Sequence, residues 1–121
     1  MSLKRLGFSF KCALAGVSYA LKNNQTLQIH FIASLIVIVM SLIFHVNAFE
    51  MGILGVMILL VISAEMINTS IEQMTDLITS EHRMEAKIAK DVAAGMVLII
   101  ATGSVMVGFL IFAPYVQKLF R

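Results

Sequence analysis

The chain has 121 residues, of which 60% are hydrophobic and only 13% are charged. Soluble domains are about 45–50% apolar and about 25% charged, so this composition excludes an ordinary soluble domain, a disordered tail and a coiled coil. Nine basic residues nearly cancel seven acidic ones, which leaves no basic field for a nucleic acid. The composition predicts an all-α membrane protein, and its length leaves room for three membrane-spanning helices.

The first predicted element is an N-terminal helix over residues 1–22. Apolar side chains recur there at helical spacing, whereas Lys4, Lys11 and Lys22 lie away from that face. This pattern is typical of an amphipathic helix that lies on a membrane surface. No clean cleavage site follows, so we expect no signal peptide. The polar residues 23–26 mark a break before the next element.

Two membrane-spanning helices are predicted next. Residues 27–44 contain no Asp, Glu, Lys or Arg, and as a helix they would rise about 27 Å, which is enough for the hydrocarbon core. After a short turn, residues 49–78 show no helix breaker, and a helix of this length would extend about 45 Å. Because this exceeds the bilayer core, its polar second half should leave the membrane or face protein.

The last predicted span is residues 92–112, which are uncharged. A polar loop over residues 79–84 precedes it, with Ser80 as the expected N-cap of the following helix. We expect Pro114 to end the span, because proline cannot continue the backbone hydrogen-bond ladder.

The basic residues predict the topology, because they concentrate in cytoplasmic segments. Four precede the first span and three lie between the second and third spans, against two at the C-terminus; in chain order they are Lys4, Arg5, Lys11, Lys22, Arg83, Lys87, Lys90, Lys118 and Arg121. The N-terminus and the second loop are therefore expected to be cytoplasmic.

A polar stripe on the second span is the first candidate site. Asn68, Thr69, Glu72 and Asp76 all lie within about 60° of Glu65 around a helix, at 100° per residue. A carboxylate inside a membrane helix is energetically unfavourable and indicates function by default. Clustered carboxylates also repel one another unless a cation or another partner lies between them, and Mg²⁺ prefers such oxygens.

A second candidate site precedes the third span, where Lys87, Lys90 and Asp91 share one helix face. A lysine and an aspartate at the membrane boundary could hold a phosphate together with a metal or a ribose. Anchoring of the topology would explain the lysines but not Asp91. No glycine is followed by lysine, so a glycine-rich phosphate loop is absent from the sequence.

These two sites carry a resemblance to a known family. Residues 64–76 read AEMINTSIEQMTD and residues 86–95 read AKIAKDVAAG. Together they resemble the signature of the prokaryotic diacylglycerol kinase and undecaprenol kinase family. The resemblance implies a single integral-membrane lipid kinase domain over residues 1–121, in a multi-pass protein of the bacterial inner membrane. It also implies a homotrimer with active sites shared between subunits, which phosphorylates a membrane lipid primary alcohol with ATP and Mg²⁺.

The resemblance also implies roles for individual residues. Glu65 matches the catalytic general base on the lipid hydroxyl, with Asn68 and Asp76 as supporting motif residues. Glu72 matches a residue that binds both metal and nucleotide. Arg5 falls where the family has an arginine in its surface helix, near the lipid substrate. The expected nucleotide-binding positions are Glu72, Glu81, His82, Arg83, Lys90 and Asp91.

The sequence departs from the family pattern at Asn24. The family commonly has a glutamate there as a second metal ligand. An amide oxygen can still coordinate Mg²⁺, although without charge. Asn24 is therefore the expected second ligand beside Glu72, in a site with one carboxylate fewer.

Two other functions remain open at this level. A small cation or proton translocator could use the same acids as a relay, although acids would then be expected across the whole membrane. A non-catalytic membrane assembly protein would need neither Glu65 nor Lys90. The sequence also does not choose between diacylglycerol and undecaprenol, since both present a primary hydroxyl.

Overall fold

The computed structural model describes residues 2–121, which form four helices and no strand. Their bounds are α1, Leu3–Asn23; α2, Gln25–Ile43; α3, Ala48–Ile78; and α4, Met84–Leu119. The last three are long and apolar enough to cross a membrane, which confirms the expected all-helical architecture with three spans. The predicted start of the first helix at residue 1 lies outside the described residues.

Helix α1 contacts the rest of the chain through its C-terminal end. Ser2 caps its start, where the hydroxyl oxygen accepts a hydrogen bond from the Arg5 backbone N–H at 3.3 Å. Ala20 is the one α1 residue that is buried in the described chain. Helix α1 therefore presents most of its surface outward and is fixed at its junction with α2.

The turn between α2 and α3 follows from local capping. His45 adopts the left-handed region, with φ 52°, which histidine tolerates better than most non-glycine residues. The Asn47 side chain accepts a hydrogen bond from the Glu50 backbone N–H at 2.9 Å and so caps α3. Glu50 lies in the first turn, where a negative charge complements the helix dipole.

Helix α3 is the central element, and it packs against all three other helices. It runs without interruption for 31 residues, or about 46 Å, so it exceeds the hydrocarbon core. A buried apolar cluster joins α3 to α4 and to the α2–α3 turn, and it contains Val46, Leu54, Ile111 and Phe112. This packing fixes the register of α3, which carries the polar stripe.

The structure corrects two predictions for α4. Ser80 does not cap it: the N-cap position is Arg83, with no side-chain cap bond, because the connection between the helices extends to that residue. Pro114 does not end the third span, because α4 continues to Leu119 with the proline inside it. Proline removes only one backbone donor, and membrane helices tolerate this interruption.

A hydrogen-bonded cluster ties the start of α3 to the end of α4. The Tyr115 hydroxyl donates to Glu50 Oε2 at 2.7 Å and accepts from the Asn47 backbone N–H at 3.3 Å. Lys118 Nζ lies 5.9 Å from the centre of the Tyr115 ring. The phenol thus bridges the start of α3 and the last turns of α4, at the end of the bundle opposite the predicted site.

The Tyr115→Phe variant is expected to have a free energy of unfolding about 1 kcal/mol lower than wild type, because it loses the hydroxyl but keeps the ring. Thermal unfolding in detergent measures the effect, with Tyr19→Phe on α1 as the matched control. A Tyr115→Phe protein that unfolds at the wild-type temperature would contradict a stabilising role for this bridge.

Candidate active site

Glu65 lies on α3 at the point where its apolar half meets its polar half, and only 1% of it is exposed. Asn24 Nδ2 donates to Glu65 Oε2 at 3.3 Å. His30 Nε2 lies 3.4 Å from Oε1, which has no hydrogen-bond partner among the described residues. One oxygen of this buried carboxylate is therefore held, and the other is free to accept a proton.

The junction between α1 and α2 covers Glu65. Asn24 separates the two helices in an extended conformation, with φ −112° and ψ 105°. This turn brings Leu27, which is fully buried, and then His30 onto α3. The burial of Glu65 therefore depends on residues about 35 to 41 positions earlier in the chain.

A small polar cleft of about 200 Å³ lies beside this junction. Asn68 Nδ2 donates to Glu72 Oε1 at 3.3 Å, while Asn68 Oδ1 is buried without a partner within residues 2–121. The cleft is lined by Tyr19, Asn23, Asn24, Gln25, Thr26, Asn68, Thr69, Glu72 and Gln73. The lining of this cleft thus contains one carboxylate, Glu72, among several side-chain amides.

A larger cleft of about 540 Å³ lies between the end of α3 and the start of α4. Lys90 Nζ donates to Asp76 Oδ1 at 2.6 Å, and Lys87 pairs with Asp91 one helical turn away. All five loop and α4 residues expected to bind nucleotide line this cleft; they are Glu81, His82, Arg83, Lys90 and Asp91.

The polar stripe of α3 is divided between these two clefts. Glu65, Asn68 and Glu72 face the α1–α2 junction or its cleft, whereas Asp76 pairs with Lys90 on α4. Helical spacing places these residues on one face of α3 and does not predict this division, because α1 and α2 lie beside that face at Glu65 whereas α4 lies beside it at Asp76. The Lys90–Asp76 pair is largely exposed and contributes little to stability, so the lysine can exchange this partner for a phosphate.

An apolar groove of about 420 Å³ runs between α2, α3 and α4. Val61 and Phe112 are among its apolar walls, and His30 and Ser34 are among its polar ones. His30 thus lies both in this groove and beside Glu65. Sequence reasoning did not assign His30 to the site, because no spacing within one helix relates it to Glu65.

The structure does not bring Arg5 to the Glu65 cluster within one chain. Arg5 lies in the first turn of α1, about 22 Å along the helix axis from Ala20, where α1 is buried. A contact between Arg5 and substrate would therefore need the bilayer surface or a second copy of the chain.

The two expected metal ligands differ in their fit to a cation. Glu72 and the unpartnered Asn68 oxygen suit Mg²⁺ carried by a nucleotide, which needs only one or two carboxylates from protein. Asn24 fits less well, because its amide oxygen accepts from the Leu27 backbone N–H and its nitrogen faces Glu65. No group of three His, Cys, Asp or Glu that could hold a metal occurs among residues 2–121.

The sequence is similar to a known protein family over most of its length. Residues 11–112 match the model of the family described as prokaryotic diacylglycerol kinase. The chain belongs to this family. Both the family and the class of enzyme expected from the two motifs, a lipid kinase, are thereby confirmed.

Two relatives of this chain are named for different lipid substrates. A diacylglycerol kinase of Synechocystis is 38% identical over 107 residues, which cover 88% of this chain and 61% of that protein. An undecaprenol kinase of Bacillus subtilis is 36% identical over 112 residues, which cover 93% of this chain and 91% of that protein. The similar identities do not select one lipid for this chain.

Proposed function

We propose that this chain transfers the γ-phosphoryl group of ATP to the primary hydroxyl of a membrane lipid alcohol. The observation that carries the proposal is the buried Glu65, whose Oε1 has no hydrogen-bond partner among the described residues and lies 3.4 Å from His30, a residue that lines the apolar groove. A lipid hydroxyl that arrives along this groove would meet a carboxylate oxygen shielded from water.

In the proposed reaction, Glu65 Oε1 takes the proton of the lipid hydroxyl. The hydroxyl oxygen forms a bond to the γ-phosphorus, the bond between that phosphorus and the β–γ bridging oxygen breaks, and ADP leaves. Phosphoryl transfer needs an oriented nucleophile and neutralised charge more than covalent participation by the protein. Glu65 supplies the first requirement, and the clefts on either side of α3 supply the second.

The α3–α4 cleft is the proposed nucleotide site. Lys90 would neutralise phosphate, and Asp91 with Glu81, His82 and Arg83 would contact the remaining nucleotide. Glu72, with the Asn68 oxygen, would hold Mg²⁺, which neutralises the β- and γ-phosphates when it is bound. The proposed site needs no glycine-rich loop, because side chains of α3, α4 and their connection line the cleft.

We propose a homotrimer, and the division of the polar stripe supports active sites that are shared between its subunits. Glu65 and Glu72 face the α1–α2 side of α3, whereas Lys90 and Asp91 lie on its α4 side. A neighbouring copy can place its α3–α4 cleft against the Glu65 side of the first. We place the assembly in the bacterial inner membrane, with the N-terminus and the α3–α4 connection in the cytoplasm, where ATP is available.

A lipid panel tests the proposal directly. Purified protein in vesicles is given ATP labelled at the γ-phosphate with diacylglycerol or undecaprenol, and triacylglycerol serves as the control without a hydroxyl. Labelled lipid phosphate is expected from at least one alcohol, and removal of Mg²⁺ with a chelator should abolish it. Absence of labelled product from both alcohols would contradict the proposed reaction.

A further inference from the structure

The side chain of Asn24 joins two helices through both of its polar atoms. Its Oδ1 accepts from the Leu27 backbone N–H at 3.0 Å and so caps α2. Its Nδ2 donates to Glu65 Oε2 at 3.3 Å and to Thr69 Oγ1 at 2.7 Å on α3. One residue therefore starts α2 and holds a buried carboxylate.

The direction of this amide follows from its surroundings. A backbone N–H can only donate, so the oxygen of Asn24 must face Leu27 and its nitrogen must face α3. The Thr69 hydroxyl donates to the Glu65 backbone carbonyl at 3.0 Å, which leaves its lone pairs to accept from Asn24. A reversed amide would set its nitrogen against the Leu27 N–H and its oxygen against the Glu65 carboxylate, and both contacts would be repulsive.

We propose that Asn24 is a positioning residue for Glu65 and not a metal ligand. This inference rests on the proposed function, in which Glu65 is the general base. By holding Oε2, Asn24 fixes the carboxylate so that Oε1, the unbonded oxygen, is presented to the lipid hydroxyl. The residue that departs from the family pattern thus acts on the base instead of on the cation.

A carboxylate at position 24 could not perform this task. Aspartate has no hydrogen to donate, and its charge would lie beside the buried charge of Glu65. Asn24 also closes the last turn of α1, because its backbone N–H donates to the Ala20 carbonyl at 2.9 Å. Helix α1 and the proposed base are therefore coupled through one residue, whose backbone N–H contacts α1 and whose side chain contacts α3.

The Asn24→Asp variant separates positioning from metal binding. Aspartate has nearly the same shape and remains a good N-cap, so α2 should form normally. We expect kcat to fall at least about tenfold, which corresponds to the loss of one hydrogen bond to a charged group. KM for ATP and the Mg²⁺ concentration for half-maximal activity should stay within twofold of wild type.

A metal-ligand role predicts the opposite outcome for the same variant. An added carboxylate would then lower the Mg²⁺ requirement and retain or raise kcat, and this result would overturn the inference. Asn47→Asp is the matched control, because this amide also caps a helix, accepting from the Glu50 backbone N–H, but lies at the opposite end of α3. The control is expected to keep wild-type kcat.

A second measurement tests the contact without activity. The chain has four asparagines, Asn23, Asn24, Asn47 and Asn68, so ¹⁵N-asparagine labelling gives four pairs of side-chain amide signals, one pair for each NH₂ group. We expect Glu65→Gln and Thr69→Val each to shift the Asn24 signal and to leave the Asn23 signal unchanged.

The two experiments distinguish failure of this inference from failure of the proposed function. An Asn24 signal that does not respond to Glu65→Gln would overturn the inference even if the enzyme is fully active. If wild-type protein phosphorylates neither lipid, the proposed function fails, and the amide signals still decide whether Asn24 holds Glu65.

Discussion

The Glu65→Gln variant is expected to lose lipid phosphorylation by a factor of about 10²–10⁴, the usual contribution of a general base. Glutamine can still accept the hydrogen bond from Asn24 through its carbonyl oxygen. Its amide nitrogen then occupies the position of the free Oε1, and this nitrogen cannot take a proton from the lipid hydroxyl. The rate of labelled lipid phosphate formation at saturating ATP measures the loss.

Glu50→Gln is the matched control for this variant. Glu50 is also a partly buried glutamate of α3, but it lies at the opposite end and bonds to Tyr115. We expect the control to keep its activity and the Glu65→Gln protein to keep its unfolding temperature. A Glu65→Gln protein with wild-type activity would disprove the assignment of the base.

Replacement of Lys90 with methionine is expected to reduce kcat/KM for ATP by about 10- to 100-fold, which corresponds to a charge-assisted bond of about 1.5–3 kcal/mol. Methionine keeps most of the length of the side chain and removes the ammonium group. KM for ATP should rise, whereas KM for the lipid should not, because Lys90 lies in the α3–α4 cleft and not in the apolar groove. Initial rates at varied ATP and fixed lipid measure the effect.

Two further variants isolate the cause of this effect. Lys118→Met removes a charge from the far end of α4, where the ammonium group lies over Tyr115, and it should leave KM for ATP unchanged. Asp76→Asn breaks the ion pair with Lys90 but keeps the ammonium group in the cleft. If Asp76→Asn impairs ATP use as strongly as Lys90→Met, the ion pair matters more than a contact between Lys90 and phosphate.

The two corrected positions in α4, Pro114 and Ser80, have different physical causes. Pro114 and Ser80 were assigned from rules derived largely from helices in water, where a proline ends a helix and a serine begins one. In a membrane protein the solvent offers no hydrogen bonds to an ended helix, so α4 continues through its proline to Leu119. Serine is a favoured N-cap but does not by itself place a helix start, and here the connection continues past Ser80 to Arg83 before α4 begins.

Composition and periodicity were sufficient to predict the three spans and the length of α3, because the length of an apolar segment and an unbroken helical pattern are local properties of the sequence. Two local motifs were likewise sufficient for the family. Contacts between helices could not be predicted from these local patterns. The packing of α1 and α2 onto α3 decided that Asn24 and His30 lie at Glu65, and the packing of α4 decided that Asp76 pairs with Lys90. Both outcomes depend on which faces of distant segments meet, and helical spacing within one segment carries no information about that.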